Sequence, residues 1–341
     1  MKKVTLGKTG LKVSRVGIGG IPIQRPPINE AIKVIHRALD LDINLIDTSI
    51  GYGDSELRIG QALKGRRDQA IIATKGSWRG AQATAATIEG SLQRLQVDQI
   101  DLWQFHNIPT PTEWDRFIAD GGSLDAAHKA QDQGKILHLG FSTHNLDVAL
   151  LGVESGLFET VQFPFDFISD EAAPRLIPLT EKHNVGFIGM KPFAGGNITD
   201  ARLAIGWLLG YPTVVPDPGV ERVQEVEEIV DIVNHPPRLD EADLQQIDAI
   251  KDELGKRFCR QCLYCMPCPH GVNIWMTNIT RKMHRLWPEE EFFKIIAEPL
   301  KSAESCVGCG ECEAKCPYGL PIREMIQDSL TYYRQLQEAQ R

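Results

Sequence analysis

Short apolar runs alternate with stretches of helical periodicity through the first 250 or so residues. The runs read as strands cover 16–19, 43–47, 70–74, 100–106, 137–141, 160–163, 186–190 and 213–215. They are apolar almost continuously rather than at every second position, the pattern of parallel strands covered by helices. Helical spacing is clear in between. Residues 29–41 set Ile32, Ile35 and Leu39, with Ala31, Val34 and Ala38 beside them, on one stripe. After the last run, Val223, Val226, Val230 and Val233 repeat at helical spacing until His235-Pro236-Pro237 ends the helix, and a further helix over 241–254 leads to Gly255. This alternation predicts an α/β fold, a closed (β/α)8 TIM barrel. An open doubly wound sheet is the alternative, weakened because Gly17-Ile18-Gly19-Gly20 lacks the G-x-G-x-x-G turn into a helix. Ahead of the barrel, Val4-Thr5-Leu6 and Leu11-Lys12-Val13 flank Gly7-Lys8-Thr9-Gly10 as an N-terminal β-hairpin that could plug one end. The glycines of 17–20 are expected where a backbone comes close to a ligand.

Length and composition accommodate this fold. The 341 residues, 42% of them hydrophobic, suffice for a barrel of about 250 residues and a small appendage. With 37 Lys and Arg against 45 Asp and Glu, the net charge of -8 argues against a nucleic-acid partner. The amino terminus lacks a signal-peptide core and no apolar run has the length of a membrane span, so a cytoplasmic protein with no membrane partner is expected. The cysteines change the picture. All eight lie between Cys259 and Cys316, which predicts a barrel domain over 1–254 and a second domain over 255–341.

Three successive strands end in polar residues. The second runs through Leu45-Ile46 into Asp47, the third into Lys75 and the fourth into His106, while Tyr52 follows Asp47 between two glycines. Strand ends of an α/β barrel share one rim, so these four side chains can converge. Each alone has an ordinary explanation as a turn former, a solvated strand end or a packed ring. Together they suit carbonyl reduction. Lys75 would favour the phenolate of Tyr52 and lower its pKa, Asp47 would hold Lys75, and His106 would orient a carbonyl oxygen.

Over about residues 1–250 the chain resembles the aldo-keto reductases. The resemblance is carried by Leu6-Gly7-Lys8-Thr9-Gly10-Leu11-Lys12-Val13-Ser14, Asp47-Thr48, Tyr52-Gly53, Ser55-Glu56, Ile59-Gly60-Gln61-Ala62-Leu63, Thr74-Lys75, Gly140-Phe141-Ser142 and Pro218-Gly219. It implies a catalytic tetrad of Asp47, Tyr52, Lys75 and His106. It also implies a nicotinamide cofactor extended across the barrel mouth, NADP by family habit, with NAD possible. Ser142 and Gln162 match positions that hold the carboxamide, and Pro218, Gly219, Arg222 and Glu228 fall in the segment matching the adenosine-phosphate loop. Where many members stack a Tyr on the nicotinamide, this chain has Gly189-Met190-Lys191-Pro192-Phe193, making Met190 and Lys191 the candidate contacts. Arg222 is the evident partner for a 2'-phosphate.

The cysteine motifs point to iron and sulfur. Cys306, Cys309, Cys312 and Cys316-Pro317 form C-x2-C-x2-C-x3-C-P, the run of bacterial ferredoxins, and Cys259, Cys262, Cys265 and Cys268-Pro269 repeat it one residue shorter. In two-cluster ferredoxins the fourth Cys of a run ligates the other cluster. The expected sets for two [4Fe-4S] clusters are therefore Cys259, Cys262, Cys265 with Cys316, and Cys306, Cys309, Cys312 with Cys268. Structural zinc and disulfides are the competing uses; zinc ligands usually come as two separated pairs, and disulfides suit an oxidising compartment. The region resembles the ferredoxin-like tail of a subgroup of aldo-keto reductases, marked by Tyr264-Cys265-Met266-Pro267-Cys268-Pro269. Residues 273–303 read as helical, and Ile322, Ile326 and Leu330 as the packed stripe of a terminal helix. The function expected is NAD(P)H-dependent interconversion of a small carbonyl compound and its alcohol, with the clusters linking the barrel to a redox partner protein. The alternative is a redox sensor or electron-transfer protein that uses a weakly catalytic barrel as scaffold.

Overall fold

The computed structural model of the protein describes residues 1–339. The chain folds as two compact units, Met1–Asp243 and a second beginning at Leu244.

In the first unit, β1 (Lys3–Thr5) and β2 (Lys12–Ser14) form an antiparallel hairpin. The sheet that follows comprises β3 (Ile18–Gly19), β4 (Leu45–Asp47), β5 (Ile71–Gly76), β6 (Ile100–Phe105), β7 (Ile136–Ser142), β8 (Thr160–Pro164), β9 (Gly186–Met190) and β10 (Val214–Asp217). Each pairs in parallel with the next in sequence. A parallel bridge between Gly19 and Gly219 closes the circle, supported by Gly17 N and Gly19 N donating to the carbonyls of Pro216 and Pro218, each at 2.8 Å. A Cβ on Gly19 would stand 2.7 Å from the Asp217 carbonyl oxygen, so the seam needs a glycine there. Where the sequence suggested an approach of backbone to ligand, this glycine makes room for the chain's own last strand.

The helices around the barrel are α1 (Ile28–Asp40), α2 (Ser55–Ala62), α3 (Ala81–Leu95), α4 (Pro111–Asp120), α5 (Gly122–Asp132), α6 (Leu146–Glu154), α7 (Leu176–His183), α8 (Ala201–Leu209) and α9 (Val223–Asn234). The main hydrophobic cluster includes Val34, Ile35 and Ala38 of α1 and Val226, Ile229 and Val230 of α9, together with strand residues such as Ile46, Ile72 and Phe163. A smaller cluster joins Leu6 and Val13, at the hairpin, to Leu45, Ala73, Leu102, Ile188 and Val215 of the sheet, so the hairpin packs on the barrel residues themselves. The inward residues then change character. Two positions beyond Leu45, Ala73, Leu102 and Val215 stand Asp47, Lys75, Gln104 and Asp217, all buried. Side chains two apart on a strand share a face, so an apolar layer is followed by a polar one toward the carboxyl ends.

Trp114 is buried in α4, close to Phe117, Phe141 and Phe158. Thr110 caps α4 by accepting from Glu113 N, and the indole packs in the core.

The helix α10 (Glu241–Leu254) spans the change of unit. Beyond it lie α11 (Ile274–Asn278), α12 (Thr280–Leu286), α13 (Glu289–Ala303), α14 (Glu311–Ala314) and α15 (Ile322–Ala339). The helical stretch read over 273–303 is thus three helices, with the chain turning at Ile279 and at Trp287-Pro288. Phe292, Ile296 and Leu300 pack with Ile322, Ile326 and Leu330, and Trp275 and Trp287 lie against this second core.

Candidate active site and cysteine cradles

Asp47 ends β4, and the chain then turns so that Tyr52 N donates to the Ser49 carbonyl at 3.0 Å before α2 begins. Ser55 Oγ donates to the Gly20 carbonyl at 2.8 Å and pairs with Thr48 Oγ1 at 2.9 Å, tying this turn to the neighbouring strand. Lys75 Nζ, fully buried, donates to Asp47 Oδ2 at 2.6 Å and to the Thr48 carbonyl at 2.7 Å. The same ammonium lies 5.0 Å from the centre of the Tyr52 ring. His106 meets that ring edge-on, centroids 5.8 Å apart. Asp47, Tyr52, Lys75 and His106 therefore stand together at the carboxyl-end rim.

Their electrostatics divide the roles. Burial alone would lower the pKa of Lys75, but Asp47, with Tyr52 and Asp217 adding to it, outweighs burial and holds the ammonium above its ordinary value. For Tyr52 burial wins. It raises the phenol above its ordinary value although Lys75 pulls the other way, so the expected net lowering of Tyr52 is not found. Tyr52 is a phenol at neutral pH, with an ammonium placed to stabilise the phenolate after a proton leaves. Burial, Lys75 and Lys191 push His106 down to about 3, which keeps its ring neutral.

Reading along the chain missed several neighbours. Ser49 Oγ pairs with His106 Nδ1 at 2.9 Å and accepts from Gly51 N at 3.1 Å. Ser49 Oγ also lies 3.3 Å from the Lys75 carbonyl and has a single proton to give; when that proton goes to Nδ1, the imidazole proton is left on Nε2. Gln104 Nε2 reaches Asp47 Oδ1 at 3.4 Å and Gln162 Oε1 at 3.3 Å, and Gln162 Nε2 donates to Asp217 Oδ2 at 2.6 Å. The signal was available in the strand alternation, since Asp217 follows Val215 as Asp47 follows Leu45.

In the second unit the cysteines line two cavities. One is bordered by Cys259, Cys262, Cys265 and Cys316. The other is bordered by Cys268, Cys306, Cys309 and Cys312, together with Cys265. The two C-x2-C-x2-C loops follow one course. Gln261 and Leu263 have positive φ of 64° and 62°, and Gly308 and Gly310, at the same offsets, have 74° and 80°. A left-handed residue after each of the first two cysteines curls the loop about a centre and turns backbone N–H groups toward it, the construction of an anion-binding nest. That fits a sulfide-rich cluster held by thiolates. Burial raises Cys262 and Cys265 to about 12, so their protons must be displaced when metal binds.

Residues 15–203 match the model of the aldo/keto reductase family, more than half of the chain. The chain belongs to this family. Residues 258–321 match a 4Fe-4S dicluster domain. Aldo-keto reductase YhdN of Bacillus subtilis is 31% identical over 205 residues, 54% of this chain and 60% of that one. L-galactose dehydrogenase of Arabidopsis thaliana is 31% identical over 214 residues, 57% of this chain and 66% of its own. The matched region thus spans less than two thirds of either relative. Among solved structures, an aldo-keto reductase from Klebsiella pneumoniae in complex with NADPH superimposes with a TM-score of 0.63 at 21% identity, over 73% of this chain and 95% of that one, a likeness of fold.

The residues of this aldo/keto reductase that were expected to hold a nicotinamide cofactor are placed unequally. Ser142 Oγ accepts from Asn107 N at 2.8 Å, beside His106, and an oxygen lone pair remains for a further donor. Gln162 is engaged inside the barrel by Gln104 and Asp217, though one of its two amide protons is left over from the contacts described. Met190 ends β9, and after it Lys191, Ala194, Gly195 and Gly196 all have positive φ, a course that gathers backbone N–H groups. Lys191 Nζ contacts His144 Nε2. Pro218 and Gly219 lie on the closing seam. Arg222 caps α9 and is paired with Glu225 at 2.7 Å, yet its side chain is 70% exposed. Glu228 is exposed on α9 and is not brought to the other candidates by any contact described. An amide-accepting serine, a left-handed loop beside a lysine and an exposed arginine suit the amide and phosphates of such a cofactor.

Proposed function

We propose that the protein is an NADPH-dependent oxidoreductase that interconverts a small aldehyde or ketone and its alcohol at the rim of the barrel. The observation that carries this reading is the convergence of Tyr52, Lys75, Asp47 and His106, with both the ammonium and the imidazole close to one phenol. A nicotinamide bound across the mouth supplies the hydride. His106, neutral with its proton on Nε2, donates a hydrogen bond to the substrate oxygen and orients it. Tyr52 gives its proton to that oxygen as the carbonyl carbon is reduced, and Lys75 stabilises the phenolate left behind. Asp47 holds Lys75 in place and balances its charge. In the direction of alcohol oxidation the phenolate takes the proton back. Ser142, Gln162, Met190 and Lys191 face the nicotinamide end of the cofactor in this reading, and Pro218, Gly219, Arg222 and Glu228 the adenosine phosphate end.

The second domain, which we place at 255–341, carries two [4Fe-4S] clusters, one held by Cys259, Cys262, Cys265 and Cys316 and the other by Cys268, Cys306, Cys309 and Cys312. The two cavities and their repeated left-handed loops support this division. A reducing compartment such as the cytoplasm suits such thiolates. The exposed Cys309 and Val307 at the second cavity favour exchange of single electrons with a partner protein, and with it the alternative in which electron transfer is the main activity.

Carbonyl reduction is tested with Tyr52→Phe, which should retain cofactor binding and lose turnover by about two to four orders of magnitude, the usual worth of a positioned general acid. Undiminished turnover would sink the proposal. The alternative predicts reduction and reoxidation of the clusters by a partner without nicotinamide, and redox-inert clusters would count against it.

A further inference from the structure

The polar layer of the barrel holds a second acid that the reaction above does not use. Asp217, at the carboxyl end of β10, is 4% exposed and extends the row that contains Asp47, Lys75 and Gln104. Its Oδ2 accepts from Gln162 Nε2 at 2.6 Å, whereas its buried Oδ1 receives no donor among the described residues. Asp47 lies within hydrogen-bonding reach of it. Two carboxylate oxygens facing one another inside a protein are acceptors only, and a proton on one of them turns repulsion into a hydrogen bond.

Counting charge leads to the same place. The titratable and charged groups acting on Asp217 are Asp47 from β4, Lys75 from β5 and the phenol of Tyr52, while Gln104 and Gln162 are uncharged. With both acids ionised, two negative charges would face one buried ammonium and leave the layer with an uncompensated charge, a costly state away from water. With one proton added the layer is neutral. Lys75 contacts Asp47 at 2.6 Å, so Asp47 keeps the charge and the proton belongs on Asp217.

We propose that Asp217 stands as a neutral carboxylic acid sharing its proton with ionised Asp47, and that it is a positioning residue which sets the charge felt by Lys75 and Tyr52. The proposal rests on the reading of this rim as a carbonyl-reducing site, but the state of Asp217 can be observed without turnover. Burial first and Asp47 next hold its pKa well above the ordinary carboxylate range, against the opposing pull of Lys75. Ionised Asp217 would raise the pKa of Tyr52 further and weaken phenolate formation. The neutral acid removes that penalty while keeping its bond to Gln162.

The test is infrared spectroscopy of the full-length protein at neutral pH in water and in deuterium oxide. The carbonyl stretch of a protonated carboxylic acid, shifted by deuterium, is expected in the unmodified protein and should be lost in Asp217→Asn. It should also be lost in Asp47→Asn, where Asp217 becomes the carboxylate that answers Lys75. Absence of the band from the unmodified protein, or its persistence in Asp217→Asn, overturns the proposal; the first of these needs no variant to fold. A pH profile of turnover supplies the link to Tyr52. The loss of activity that accompanies ionisation of Asp217 as pH rises should disappear in Asp217→Asn, and an unchanged pH profile would refute the positioning role. Should Tyr52→Phe prove active while the band behaves as expected, the reaction assignment fails and the acid pair stands.

Discussion

At the scale of single residues, the site depends on charges that cannot be removed one at a time. Lys75 and Asp47 are both buried and 2.6 Å apart. Lys75→Met deletes the ammonium and leaves a buried carboxylate, so a loss of about 3–5 kcal/mol is expected in urea denaturation at neutral pH, along with turnover. His106 gives a second prediction, with a definite sign. Its folded pKa of about 3 lies below the ordinary 6.5, so between these values the unfolded chain binds the extra proton. The contribution of the neutral ring to stability is complete above pH 6.5 and is lost as pH falls toward 3. The denaturation midpoint should decline over that window, and less steeply in His106→Asn; equal slopes would contradict the assignment. The tetrad itself was legible because each member ends, or closely follows, an apolar run. The direction of the Tyr52 shift was not legible, because how far burial outweighs a neighbouring ammonium depends on how much protein encloses the phenol.

At the scale of elements, the barrel closes where β3 meets β10, and the closing strands have little room. Gly19 N donates to the Pro218 carbonyl at 2.8 Å, and a Cβ on Gly19 would meet the Asp217 carbonyl at 2.7 Å. Gly19→Ala must therefore push against backbone. A loss of about 1–3 kcal/mol, the usual cost of overpacking, is expected as a fall in thermal midpoint, and because Asp217 lies on the displaced strand, carbonyl turnover should fall with it. An alanine accepted without loss of stability would mean that the seam is looser than described. The strands and most barrel helices could be read from periodicity because their burial is one-sided and regular. The burial of Trp114 was not legible, because prolines, threonines and a glutamate surround it in sequence and only the folded chain sets it against Phe117, Phe141 and Phe158.

At the scale of the whole molecule, the chemistry of the chain is divided between two units of different construction. Cys316→Ser removes a ligand expected at the cavity lined by Cys259, Cys262 and Cys265 and leaves the other set complete. Anaerobically prepared variant protein should therefore lose about half its iron, with one of two cluster signals retained in electron paramagnetic resonance. Loss of both would mean that one cluster cannot form without the other. By itself the sequence determined the order of strands and most helices, the eight-fold α/β class, the separation of a cysteine-rich region and the four side chains that meet at the rim. These are carried by periodicity and by motifs short enough to fix their own geometry. Tertiary structure decided what faces what across the barrel. Asp47 and Asp217 are far apart along the chain, and only closure of the seam brings them onto one layer. There, burial without water makes the number of charges, and so the place of a proton, a property of the assembled barrel rather than of any stretch of sequence.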